Sequence, residues 1–142
     1  MQNFITRALV SFLMLACHTS FAQHILNPIR DTVQWDYRQI ENRVRSETVT
    51  LGGHFISYAG KSFLWVQNGV DRHYIFKTKS LRGDWTDARS SGELTYRVTC
   101  NGEEGTLKLF RKGQKLFVEF DFLQPNKKTP HLLLLITSIT KI

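Results

Sequence analysis

Arg97, Lys108, Phe110, Lys115 and Phe117 are the residues whose types and spacing come closest to a recognisable chemistry. Each falls out of phase with the apolar residues of its own β-rich run, so each points away from the apolar face. Lys112-Gly113 suits a two-residue turn. That turn sets Phe110 across from Lys115, and Lys108 across from Phe117. A four-residue turn over 101–104 then brings Arg97 beside Lys108. Cations interleaved with aromatic rings bind anionic ligands by charge and stacking. Like charges directly opposite are unfavourable. The pair therefore implies either a register two residues different or a partner that neutralises it. The same rings have a plainer use, in which residues 31–46 or the last strand cover Phe110 and Phe117. Trp85 is a second candidate, on the segment 83–92 (GDWTDARSSG), which is long for a hairpin loop. It serves either as a ligand contact or as a plug folded over an open barrel end.

Catalytic and cofactor chemistry find no constellation. Beyond residue 22, Cys100 is the one thiol. It lies on the apolar face of its run, where burial keeps a thiol inert. There is no G-x-S-x-G elbow and no glycine-rich phosphate loop. His24, His54, His73 and His131 lack the H-x-H or H-E-x-x-H spacing of a metal site, although strand pairing could bring His54 near His73. Asp84 and Asp87 are too sparse for calcium. Glu119 and Asp121 share one strand face at a spacing near that of glycosidase carboxylates. Nothing nearby desolvates either one, so they read as a solvated face. No metal and no cofactor are expected, and a binding role is expected over a catalytic one.

The elements that carry these residues read as an antiparallel meander. The chain has 142 residues, 42% hydrophobic and 22% charged, with a formal net charge of +7. That is ordinary globular usage and one domain's length. Three Pro and nine Gly exclude collagen-like and low-complexity classes. From residue 51 onward, β-rich runs alternate with turn signals every ~8–12 residues. Asn68-Gly69 is a strong hairpin signal. In 93–100, 106–111 and 115–122 one apolar set recurs at every second residue, with Leu116, Val118 and Phe120 expected deep in the core. The run 132–139 holds five consecutive apolar residues and reads as a strand covered on both faces, or as the closing strand of a barrel. Residues 31–46 satisfy two patterns. Val33, Tyr37, Ile40 and Val44 have helical spacing, while Val33, Trp35 and Tyr37 alternate as a strand. The expected architecture is all-β: a single-domain antiparallel barrel or sandwich of about seven or eight strands, with a short N-terminal helix left open. In outline this meander resembles lipocalin-like barrels.

Residues 1–22 read as a secretory signal peptide, and 23–142 as the single β-rich domain. Arg7 precedes the apolar stretch 8–16, and Ser20-Phe21-Ala22 offers small residues at −3 and −1 of a cut before Gln23. Lipid anchoring at Cys17 fits less well, because Leu15 stands where a lipoprotein signal carries a small residue. Removing this segment takes away Arg7 and no acid, so the mature chain stays basic. With one cysteine left it closes no internal disulfide. Export makes nucleic acid an unlikely target despite the charge. No stretch of ~18 apolar residues is present for a spanning helix, and strands this rich in Glu, Lys and Arg do not suit a lipid-facing barrel. The expected role is a secreted or periplasmic bacterial binding protein. Its partner is an apolar ligand in a barrel interior, or an anionic envelope component on the aromatic-basic face. The alternative is a protein-interaction factor such as an envelope enzyme inhibitor. Ser91-Gly92 followed by Tyr96 resembles the Ser-Gly-x-x-Tyr stretch of periplasmic lysozyme inhibitors, with one residue more between. Intact mass of the exported protein checks the processing. A chain starting at Gln23 without lipid is expected, and an acylated Cys17 at the N-terminus would refute it.

Overall fold

Runs with one apolar face each can bury those faces together by curling their sheet into a closed barrel. The computed structural model describes residues 25–122 and 131–142 and does this. The expectations for the signal segment, Cys17, His24 and the polar loop 124–130 lie outside the described residues. Nine strands are present among those described: β1 (Thr32–Asn42), β2 (Glu47–Val49), β3 (Gly53–Tyr58), β4 (Ser62–Gln67), β5 (His73–Arg82), β6 (Gly92–Cys100), β7 (Glu103–Lys112), β8 (Lys115–Phe122) and β9 (His131–Lys141). Each pairs antiparallel with its neighbour in sequence order from β3 to β9, and β9 closes on β1. The result is a closed eight-stranded barrel plus one extra strand. That strand, β2, pairs only with the far end of β1, through Ile40↔Val49 to Asn42↔Glu47.

The barrel settles the contested segment. Residues 32–42 form a strand, and no helix occurs among the described residues. Val33, Trp35 and Tyr37 all point into the core. Register shifts against β9 fall between Asp36 and Tyr37 and between Tyr37 and Gln39. The second moves the inward phase by one residue, so Ile40 is buried rather than Gln39. That odd step produced the helical spacing. A helix there would also leave β3 and β9 without the strand that joins them.

The core is unusually aromatic. Trp35, Phe55, Phe63, Phe76, Tyr96 and Phe120 are all fully buried, with Leu94, Leu107, Leu109 and Leu134 between them. Leu116, Val118 and Phe120 lie inside as expected. The indole N–H of Trp35 donates to Ser57 Oγ at 3.1 Å, so the buried polar groups of this pair are matched. Tyr96 is different. Its ring packs edge-on against Phe63, centroids 4.8 Å apart, but its buried hydroxyl has no hydrogen-bond partner. Burial pushes its pKa up to about 12. Removing an unsatisfied buried group relieves a cost of about 1–3 kcal/mol. Tyr96→Phe is therefore expected to hold or raise stability in urea denaturation. A loss above ~1 kcal/mol would show that the hydroxyl has a partner.

Candidate functional site

The two ends of the barrel differ. At the end where β5 leaves and β6 begins, Trp85 folds inward and is only 2% exposed. Its Nε1 donates to the Ser90 carbonyl at 3.0 Å, and its ring lies 6.2 Å from that of Trp35. Ala88 N–H donates to the Leu26 carbonyl at 2.9 Å, and Arg111 Nε to the Ala88 carbonyl at 2.7 Å. The loop is thus tied to the N-terminal segment and to β7. Gly92 is required beneath it, because a Cβ there would stand 2.2 Å from Trp85 Cδ1. Of the two uses open to Trp85, the structure displays the plug.

The opposite end holds a half-open cavity of about 360 Å3. Its wall is a run of rings. Tyr74 stacks on Trp65 at 5.2 Å, Trp65 on Phe120 at 5.0 Å and Phe76 on Phe122 at 5.6 Å, and Phe120 meets Phe76 in a tilted contact at 5.3 Å. These five side chains come from β4, β5 and β8, whose inward phases coincide near their ends. Trp65 is fixed from behind: its Nε1 donates to Tyr37 Oη at 2.8 Å, and that hydroxyl donates to the Val66 carbonyl at 3.1 Å. Gln67, Asn101 and Glu103 supply polar groups to the lining. Asn101 and Gly102, at φ of 51° and 81°, make the tight turn that places them. Cys100 adds a thiol, free and buried. Burial pushes this thiol's pKa up, and the Glu103 charge pushes it the same way. Such a lining can stack, desolvate and orient a ligand. Nothing in it activates a nucleophile.

The outer face differs from expectation in register. The β7–β8 turn is Gly113-Gln114, not Lys112-Gly113, so Phe110 faces Phe117 and Lys108 faces Glu119. The β6–β7 turn is Asn101-Gly102, so Arg97 faces Thr106 rather than Lys108. Both corrections are shifts of two, which leave every residue on its expected face. Phe110 and Phe117 stack at 5.0 Å, half-exposed, with Leu135 of the last strand as the next neighbour of Phe117. Lys108 Nζ lies 2.9 Å from Glu93 and 5.2 Å from the Phe110 centroid. Arg97 is 3.6 Å from Glu104. Lys115 stands opposite Lys112 and borders a shallow groove of about 210 Å3 with Phe117, Leu133 and Leu135. The structure therefore gathers Lys108, Phe110, Lys115 and Phe117, sets Arg97 apart, and sends Trp85 to the closed end.

The remaining candidates also have places. Glu119 is not simply solvated, because its carboxylate meets His131 Nε2 at 2.6 Å and Arg43 at 4.0 Å. His54 and His73 both neighbour Val66, from opposite sides, so one strand separates them. No group of metal-ligating residues occurs among the described residues. The cavity's rings were legible in the sequence only as core residues. Their signal is five aromatics clustered near the ends of three strands.

The thiol gives a direct check on this geometry. Cys100 is expected to react slowly with a maleimide at neutral pH and faster as pH rises, because its pKa is raised. Glu103→Gln removes the neighbouring charge and should shift the rate profile to lower pH. A profile unmoved by that substitution would place the carboxylate away from the thiol.

Compared with known proteins, the chain matches no family model, no curated protein and no solved structure.

Proposed function

We propose that this chain is an exported binding protein that takes a small, apolar, ring-bearing ligand into the half-open end of its barrel. The observation that carries this reading is the cavity walled by Tyr74, Trp65, Phe120, Phe76 and Phe122. Its ~360 Å3 falls within the usual size of small-molecule sites, which are mostly apolar with a few polar groups. Flat rings gain from stacking on such a wall, at about 0.5–1.5 kcal/mol per aromatic pair beyond area burial. Gln67 and Asn101 would then orient a polar substituent at the mouth.

A second reading keeps the outer aromatic-basic face for an anionic envelope component or a protein partner. It rests on the half-exposed Phe110–Phe117 stack. It has weaker support because Lys108 and Arg97 each already have a carboxylate within 4 Å.

Titration with N-phenyl-1-naphthylamine, a neutral fluorophore that brightens in apolar sites, separates the two. The wild-type protein should bind it in the micromolar range. Cys100→Leu partly fills the cavity and should weaken binding at least ~10-fold, a change of about 1.4 kcal/mol. Lys108→Glu should leave it unchanged. Loss of binding with Lys108→Glu but not Cys100→Leu would move the site to the outer face. Circular dichroism of each variant confirms that the barrel persists.

A further inference from the structure

The outside of β3, β4 and β5 carries a row of apolar side chains that runs from buried Ile56 to exposed Ile75. Ile56, Leu64 and Ile75 stand opposite one another across the three strands. Val66 lies in the next row, between His54 and His73. Ile56 is buried yet lies outside the core cluster. Leu64 and Val66 are half-exposed, and Ile75 is 54% exposed. Scattered single apolar residues on a surface mean little, but a contiguous row rimmed by polar groups marks an interaction site.

Cations outnumber carboxylates at the rim. Strands β3, β4 and β5 contain no Asp or Glu, while Lys77 lies on β5 beside the row and Asp36 stands opposite His54 at the β1 border. Tyr58, Ser62 and Lys77 form the row beside the apolar one, and the exposed Lys61 sits in the turn at its end. Lys79, in the register shift of β5, reaches Glu104 on β7. The other carboxylates bordering this face are Asp36 and Asp71. Asp36 accepts hydrogen bonds from Gln34 and Ser138 at 2.9 and 2.8 Å, and Asp71 lies in the β4–β5 turn. The opposite side of the barrel is mixed: Glu93, Glu119 and Glu41 stand among Lys108, Lys112 and Lys115.

We infer that the β3–β5 face docks on an anionic lipid surface. An apolar strip a few residues wide with lysines at its margins suits the boundary between acyl chains and charged headgroups. The apolar residues enter the boundary and the cations meet the headgroups. Binding of this kind does not require the chain to span the membrane. It also does not depend on the cavity being a ligand site, so the two can fail separately.

Co-sedimentation of the exported protein with vesicles tests this. Binding is expected to phosphatidylglycerol–phosphatidylcholine vesicles and not to phosphatidylcholine alone, and to fall as salt rises. Lys77→Glu should weaken it about tenfold. Ile75→Ser should weaken it roughly fivefold, since one exposed side chain is lost. Lys112→Glu, on the opposite side, should change it less than twofold. Equal binding to neutral and anionic vesicles, no binding to either, or no effect of Lys77→Glu would overturn the inference. So would self-association of the wild-type protein abolished by Ile75→Ser, which would assign the face to a second copy of the chain. Both substitutions are at exposed positions, and a thermal melt of each confirms that loss of binding is not loss of fold.

Discussion

Everything in this barrel depends on β9 closing on β1. The meander of β1 and β3 to β9, joined by seven pairings, has two free edges before closure, and each is a row of unpaired N–H and C=O groups. Strand β9 is the worst strand to leave at an edge, because Leu132 to Ile136 are apolar without interruption. Paired between β8 and β1, it sends Leu134 and Ile136 into the core, and sets Leu133 and Leu135 on the outer face beside Glu119 and Phe117. Closure has a geometric condition. The first and last strands must meet in a register that keeps both inward sets inward. The two register shifts against β1 accomplish this: Arg38 on β1 and Thr137 on β9 are the extra residues, and both are exposed. Each lets its strand skip one phase while its apolar residues stay inside.

That closure also decides how the interior is filled. An eight-stranded barrel is just wide enough for side chains to fill it or to hold one small ligand. Here both outcomes occur, at opposite ends. Large rings fill the middle, and Trp85 completes the closed end from a loop rather than from a strand. The far end has no equivalent plug among the described residues. The five rings that could have met in the centre line up along one side instead, from Tyr74 to Phe122. The cavity therefore follows from where the aromatics fall along the strands.

Much of this was legible in the sequence, and the parts that were not share a cause. Alternation in 93–100, 106–111 and 115–122 named the inward residues correctly, because period two states which face a side chain takes. It is silent about sliding a strand by two, which moves partners and keeps faces. Phe110 was thus expected opposite Lys115 and is opposite Phe117, and Arg97 was expected beside Lys108 and is not. Turn chemistry decides that slide. Lys112-Gly113-Gln114 admits a two-residue turn in either frame, and Gly113, at φ of 60°, occupies the first turn position rather than the second. The segment 31–46 failed for a related reason. A strand with a bulge spaces its apolar residues by two, two and three, and that sum imitates a helix. The cavity was hidden more deeply, since an aromatic on an inward phase looks the same whether it meets another side chain or open space.

The register that removed the Arg97–Lys108 pair also changes how the molecule's positive charge is spent. On β6 and β7, Lys108 meets Glu93 and Arg97 meets Glu104, while Lys112 stands opposite Lys115 beside the β7–β8 turn. Exposed pairs like these add little to stability. Strands β3–β5 carry Lys77, Lys79 and Arg82 and no carboxylate of their own, so part of the surplus lies there. Strands β4 and β5 carry the two unassigned surfaces on their opposite faces. Trp65, Tyr74 and Phe76 line the cavity from inside, while Leu64, Val66 and Ile75 form the apolar row outside. A body seated on that row would lie one strand's thickness from the cavity wall. Six alternating residues on two paired strands thus build both surfaces at once.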